Sequence, residues 1–421
     1  MTVFSELRMR PATADRWGWD ASVTARLVMA GVVIFTLLVG ANLATPLYPL
    51  LQAKLGITAL DVTVAFSAYV LALVATLVLA GHWSDHIGRR AALVLAVLVG
   101  LAGGAVFATA DSLFLLSAGR ALQGVAVALA TGASSAALRE LLPSRPDWAS
   151  RFTLLASAGG VAAGPAIGGV LSLLPGPTST PYYLHSLALA ALLVPLYVLK
   201  ARPAISSATG PQPLSVLAPR RPSVSSEARG AFWLASSVGF LSFTVFGFCL
   251  SLAPGYFAQI VHADSRPLIG LLAGLTLGSS ALSQLLAVRG RFVVPVGLGM
   301  LAVSVLLIAA AAAWSSPWLL IMASITAGVG QGVSFRTVFN DVAGKVEAPR
   351  HAQVISTLYV ITYLGSAIPV VGLGLAAGVV GLQAAVAGFV VLCSIAAGAL
   401  ALITLRAALR RAAPDGRGLP R

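Results

Sequence analysis

The sequence predicts an all-α membrane protein, with twelve transmembrane helices in two pseudo-symmetric six-helix bundles. Three observations carry this expectation. Of the 421 residues 58% are hydrophobic and only 10% charged, with a mean hydropathy of +0.92. That is too little polar surface to cover a water-soluble globule of this size. Apolar runs of about 20 residues, the length that crosses a bilayer's hydrocarbon layer, recur along the whole chain. Finally, residues repeat at one offset: Phe35-Thr36 returns as Phe243-Thr244, Pro46 as Pro254, Tyr48 as Tyr256 and Gln123-Gly124 as Gln331-Gly332, each pair 208 positions apart. One offset shared by distant helices marks two related halves.

In chain order, residues 1–24 form a polar, arginine-bearing N-terminal segment. No cleavable signal is expected there, because the first apolar run is long enough to span rather than be removed. Spans are predicted near 25–50, 60–81, 91–110, 113–138, 152–174 and 182–200, making an N-terminal bundle over 25–200. Residues 201–230 hold Pro203, Pro211, Pro213, Pro219 and Pro222 among serines and arginines, a composition that builds no core and reads as a linker. The C-terminal bundle over 231–405 has spans near 231–256, 268–288, 292–313, 317–340, 353–378 and 383–405, and a tail occupies 406–421. With a cytoplasmic N-terminus, only Lys54 and Arg266 lie outside and only Arg120 and Arg336 lie within spans. The positive-inside rule then puts both termini and the linker in the cytoplasm of a multi-pass protein of a cell inner membrane or plasma membrane.

Composition also excludes functions. The net charge of +14 comes from basic residues scattered through loops, with no basic domain to hold nucleic acid. Cys249 and Cys393 fall in apolar runs and read as packing residues. The five histidines, His82, His86, His185, His262 and His351, show no zinc-protease spacing. Neither a phosphate-binding Gly-x-x-x-x-Gly-Lys run nor a Gly-x-Ser-x-Gly elbow is present. His82 and His86 share one loop, which reads as solvated rather than as a metal site. The chain is therefore expected to be no enzyme, with no cofactor and no metal, drawing on an ion gradient for any uphill transport.

Three stretches concentrate unusual residues. The connection Gly81-x-x-x-Asp85-x-x-Gly88-Arg89-Arg90 places a carboxylate, two glycines and adjacent arginines between two spans. Gly119-Arg120-Ala121-Leu122-Gln123-Gly124 puts a guanidinium at membrane depth, where it needs protein or water acceptors and should point inward. Gly160-x-x-x-Gly164-Pro165-x-x-Gly168-Gly169 spaces small residues for close helix packing, with a proline that bends the span. Simpler readings exist for each: a solvated topology loop, an arginine that snorkels to the surface, and general packing glycines.

Together these stretches resemble the major facilitator superfamily of secondary transporters, and specifically its twelve-spanner drug:proton antiporter branch; the resemblance covers nearly the whole chain. It implies a substrate site between the two halves near the midplane. It implies that Gly81, Asp85, Gly88, Arg89 and Arg90 form a gating latch, with Asp85 facing the start of the eleventh helix near His351 to Gln353. The copy of this loop in the second half keeps only Arg289-Gly290-Arg291 and lacks the carboxylate. Arg120 is implied in proton handling. Gly160, Gly164, Pro165, Gly168 and Gly169 match the antiporter motif, whose face is expected to seal against the eighth helix at Gly270, Gly274 and Gly278.

One departure stands out: no acid lies deep in a span, whereas many exporters of cationic drugs carry one there. Proton-coupling candidates are therefore Arg120, Asp61, His185 and Asp341. With only Arg120 and Arg336 charged inside, the cavity would favour neutral or anionic solutes, unless Arg336 pairs with Asp341 or a carbonyl. Asn42, Tyr69, Gln123, Phe335, Arg336, Asn340, Tyr359 and Tyr363 lie on cavity-lining helices of the family, where aromatic and amide groups suit amphipathic solutes. The expected function is proton-coupled efflux of a small organic or drug-like solute by alternating access, in the manner of multidrug resistance transporters. The partners are that substrate, protons and the lipid bilayer, the protein being a monomer. Alternatives are a proton-linked or facilitative importer of a metabolite or anion, and a membrane receptor or scaffold without transport.

Overall fold

The structure, a computed structural model, describes residues 3–7, 18–200, 226–261, 265–286, 288–346 and 348–410. A bilayer offers no water to backbone N–H and C=O groups, so apolar runs satisfy them internally as helices. Among the described residues twelve helical segments are long and apolar enough to cross a membrane. A short helix α1 (Val3–Leu7) precedes the first span, which consists of α2 (Val23–Asn42), a 3-10 turn at Thr45–Leu47 and α3 (Tyr48–Leu55). The second span is α4 (Ala59–Ala80). After the short loop helix α5 (Trp83–Ile87) come α6 (Arg89–Ala108), α7 (Leu113–Leu141), α8 (Pro146–Leu171) and α9 (Thr180–Val198). The second half holds α10 (Ser226–Ser251) continued by α11 (Ala253–Val261), then α12 (Arg266–Leu285), α13 (Val293–Trp314), α14 (Pro317–Lys345), α15 (Ala348–Val380) and α16 (Leu382–Arg410).

Local chemistry sets the ends. Ser22 and Ser112 accept hydrogen bonds at the starts of α2 and α7, and Thr58 with Asp61 makes a reciprocal capping box on α4. Gly381, at φ +83°, turns the chain between α15 and α16 in a conformation that side chains resist. The internal repeat shows directly in the backbone: α2 stops just before Pro46 and α10 just before Pro254, so both halves open with a helix broken at the same place.

Several boundaries differ from the sequence expectation. Helix α10 begins at Ser226, so Arg229 and Gly230 belong to the bundle rather than to the linker, and α16 continues to Arg410 into the expected tail. Helices α7 and α14 have 29 residues each, about 43 Å at 1.5 Å per residue. They outrun the hydrocarbon layer of about 30 Å, so Glu140 and Asp341 ride on projecting turns. The N-terminal segment is not merely polar: Val3 and Glu6 of α1 are buried against α6. We call the side bearing Arg89, Arg90, Glu140 and both ends of the described chain the basic face, and the opposite side the far face.

The bundles meet mainly through α8 against α12 and α4 against α15. On the far face Arg266 Nη1 donates to the Ser172 carbonyl at 2.6 Å, and a Cβ on Gly374 would sit 3.0 Å from Leu60 Cα. The far-face half of the seam is thus packed at backbone distance.

Candidate functional site: a seam between an arginine cluster and an aromatic wall

In the N-terminal bundle Arg120 lies on α7, only 2% exposed. Its Nη1 donates to the Ala41 carbonyl of α2 and, at 2.7 Å, to Gln123 Oε1 one turn along its own helix. The guanidinium stacks on Tyr69 of α4, 4.5 Å from the ring centroid. It is inward-pointing and fully desolvated, so the snorkelling alternative does not hold. Close approach is made possible by Gly124, where a Cβ would collide with the Tyr69 carbonyl. Gly328 stands at the repeat position equivalent to Arg120, and Gln331, the equivalent of Gln123, accepts instead from Ser280. The repeat has kept the amide and dropped the charge.

The facing wall in the C-terminal bundle is aromatic. Phe243 of α10, Phe335 and Phe339 of α14, and Tyr359 and Tyr363 of α15 form a closed cycle with successive centroid separations of 5.8, 5.9, 5.6, 6.2 and 5.3 Å. These are the spacings of edge and offset ring contacts. Tyr363 lies on α15 and Tyr69 on α4, and the packing of these two helices brings the aromatic wall and the arginine cluster to the same seam. Arg336 adjoins the wall in sequence, is partly exposed, and has no ion pair or hydrogen bond among the described residues. Asp341 pairs with Lys345 at 2.8 Å, so the expected alternative of an Arg336–Asp341 pair is not formed.

Other predicted residues fall elsewhere. Asn42 spends its amide nitrogen on the Leu38 carbonyl and packs against Gly164, which makes it part of the helix break. Asn340 is exposed near the end of α14. Asp61 is held by Thr58 at 2.8 Å in its capping box. His185 lies buried in α9, its Nε2 2.9 Å from the Thr36 carbonyl. Among the described residues no group of three or more potential metal ligands occurs, and both cysteines are free and buried.

The basic loop is tied to its own bundle. Gly88, at φ +89°, makes the turn into α6. Asp85 pairs with Arg89 at 2.5 Å, and Arg89 with Glu140 at 2.7 Å. Arg90 is buried, pairs with Glu6 at 2.9 Å and donates to the Leu199 carbonyl. The side chains of His351 to Gln353, which Asp85 was expected to face, lie outside the described residues. Sequence reasoning missed Glu6, because a single carboxylate in a short polar segment carries no periodic signal.

The antiporter glycines divide between two faces of α8, which corrects the expectation that the motif as a whole seals against the eighth helix. Gly160, Gly164 and Gly168 pack on α2: a Cβ there would sit 2.5 Å from the Phe35 carbonyl oxygen, 2.8 Å from that of Val39 and 2.5 Å from that of Leu43. The opposite face carries the seam. Gly270 of α12 lies against the Pro165 carbonyl, a Cβ on Gly274 would be 2.6 Å from the Ala162 carbonyl oxygen, and one on Gly169 would be 2.5 Å from that of Arg266. Backbone carbonyls of one helix meet glycine Cα–H groups of the other, a contact no side chain could replace.

Comparison with known proteins agrees with this architecture. Residues 30–369 match the Major Facilitator Superfamily. The chain is 35% identical over 151 residues to the class E tetracycline resistance protein of Escherichia coli, covering 34% of this chain and 36% of that protein. It is 28% identical over 104 residues to the bacillibactin exporter of Bacillus subtilis (strain 168), covering 24% and 26%. The match thus spans about a third or less of these relatives' length. A solved bacterial homolog of the human lysosomal transporter Spinster, in an inward-facing and unoccupied conformation, superposes with a TM-score of 0.70 over 92% of this chain and 98% of that one, at 13% identity. With twelve membrane-crossing helices in two repeated halves and a family match across both, this chain belongs to the Major Facilitator Superfamily of transporters.

Proposed function

We propose that the chain is a secondary active transporter that exports a small organic solute in exchange for protons by alternating access. The observation that carries this reading is the seam itself. An amphipathic solute placed there meets an aromatic wall of five rings on one side and the Arg120–Gln123–Tyr69 cluster on the other. Rings supply apolar area with defined geometry, and the guanidinium and amide supply orientation. The glycine-to-carbonyl contacts of α8 and α12 are the closure on the far face, and the Asp85–Arg89–Glu140 chain supports the gate at the basic face. The relatives named a tetracycline resistance protein and a bacillibactin exporter support the direction. In this reading the basic face is cytoplasmic, in a cell inner membrane or plasma membrane, and the protein acts as a monomer.

A second reading, transport of an anion in either direction, is favoured by one observation. Arg336 has no partner among the described residues, and no carboxylate lies deep in a described span. A cavity of this sign attracts anions over cations. Both readings are tested by uptake and efflux in proteoliposomes under an imposed pH gradient, with neutral, anionic and cationic solutes, tetracycline among them. Export driven by an inward proton gradient supports the first reading. Gradient-independent flux of anions alone supports the second.

A further inference from the structure

His185 occupies an environment that neither the gate nor the aromatic wall explains. A carbonyl only accepts hydrogen bonds, so the 2.9 Å contact with the Thr36 oxygen requires a proton on Nε2. The neutral ring then offers Nδ1 as an acceptor, and Nδ1 is buried with no protein partner. Around it the chain has been hollowed out. A Cβ on Gly40 would overlap the imidazole, and Gly40, Gly100 and Gly104 line a cavity with room for about one water molecule.

The other polar side chain lining that cavity is Gln123. Its Oε1 is committed to Arg120, while its Nε2 is buried without a protein partner. An acceptor without a donor and a donor without an acceptor thus face one water-sized space, an arrangement that a bridging water satisfies.

We infer that His185 and Gln123 form the proton-binding site of the transporter: Nδ1 takes one proton from a hydronium ion, which is left as water, and the resulting imidazolium competes with Arg120 for the amide oxygen of Gln123. The inference rests on the proton-exchange reading above. In the neutral state Gln123 gives Oε1 to Arg120 and turns its amide N–H toward the ring. Once protonated, the ring donates from both nitrogens, and the amide must present its oxygen through the bridging water. Arg120 then keeps the Ala41 carbonyl and the Tyr69 ring and loses the amide. Because Tyr69 lies on α4, which packs across the seam against α15, the helix that carries Tyr363, the proton's arrival is felt where the two bundles meet.

The charged groups around the site are few. Helices α2, α6 and α8 pack against α9. Their described charged side chains, Arg26, Arg89, Arg90 and Arg151, all lie toward the basic face. On α7 Arg139 and Glu140 lie there too, while Arg120 sits across the cavity behind Gln123. The hydroxyls of Tyr48 and Tyr182 lie near Arg120, that of Tyr182 also beside Gln123, and no described carboxylate faces the ring. The two carboxylate candidates lie near helix ends with partners, Asp61 in its cap and Asp341 with Lys345.

The test is a titration of the full chain in nanodiscs, with nitrogen-15 histidine, followed by NMR from about pH 8 to about pH 5. The His185 signals are identified by their loss in His185→Gln, and folding is checked by elution profile. The site predicts Nε2–H at the high end and protonation at Nδ1 on acidification. It also predicts a midpoint displaced by about one unit or more in Gln123→Leu, which removes the amide through which Arg120 acts. No protonation in this range, or a midpoint indifferent to Gln123→Leu, would overturn it. Liposome flux separates this idea from its parent. Titration as stated without any pH-driven transport sinks the exchange reading and leaves the site. Undiminished pH-driven transport in His185→Gln sinks the site and leaves the exchange reading.

Discussion

Replacing Gly274 by alanine should loosen the far-face closure while leaving each bundle intact. The new methyl would sit 2.6 Å from the Ala162 carbonyl oxygen on α8. Ordinary contact begins near 3.4 Å, and the obstacle is backbone, which has no rotamer to escape into. The helices must part by about 0.8 Å, the difference between those distances, and overpacking of this kind costs about 1–3 kcal/mol. Alanine is the better helix former by about 0.5–1 kcal/mol, but α12 is helical whether the seam is open or closed, so that gain cancels. The closed population should therefore fall about 5- to 150-fold relative to the open one. Gly278→Ala is the matched control: its methyl would lie 3.8 Å from Ala162 Cβ, an ordinary contact. Spin labels at Leu173→Cys and Leu271→Cys, both on exposed positions, report the separation by pulsed dipolar spectroscopy, since the native cysteines are buried. A distance distribution unchanged by Gly274→Ala, or shifted equally by Gly278→Ala, would refute the reasoning.

The remaining predictions concern the basic face and the seam. Burial pushes the Glu6 carboxyl above its ordinary range, even with Arg90 beside it. The docked state of α1 therefore binds the proton more readily than the undocked one, so docking should be stronger in acid and decline as pH rises through the raised value. Hydrogen exchange at residues 3–7, corrected for its intrinsic pH dependence, checks the sign. Glu6→Ala should weaken docking of α1 by removing the ion pair with Arg90, which keeps the Leu199 carbonyl, read as faster hydrogen exchange at residues 3–7. Asp85→Asn should abolish transport while the protein elutes unchanged, because Arg89 would keep Glu140 and the Ser84 hydroxyl but lose its ion-pair partner in the loop; flux at the wild-type rate would remove Asp85 from the gate. Phe243→Ala, which breaks the aromatic cycle at its contact with both α14 and α15, should weaken binding of an aromatic solute about 2- to 12-fold, measured by equilibrium binding.

The spans were legible because each is set by a long apolar run; the repeat paired Pro46 with Pro254, but the spans were drawn through both, and the break that the two halves share became visible only in the backbone. Arg120 could be placed inward because a desolvated guanidinium has few alternatives. What sequence could not show was how α8 divides its faces. Glycine marks where a Cβ is forbidden, and on the seam the forbidden positions lie mostly on α12 while α8 contributes the carbonyls of Ala162 and Pro165. The aromatic wall was partly visible in Phe335, Tyr359 and Tyr363, while Phe339, one helical turn from Phe335, was missed. Phe243 completes it from a third helix, which only tertiary packing brings near. The basic loop's arginines were read as gate residues, and their partners Glu6 and Glu140 come from segments with no pattern pointing at them.

Alternating access requires the two faces of the seam to move in opposition. The direct measurement pairs far-face labels at Leu173→Cys and Leu271→Cys with basic-face labels at Trp148→Cys and Leu286→Cys, all exposed positions, in one membrane preparation taken through a pH step with solute present. The account predicts that whenever one separation lengthens the other shortens, with the balance set by proton and solute together. Distances that change in the same sense, or do not change at all under conditions of measured flux, would contradict it.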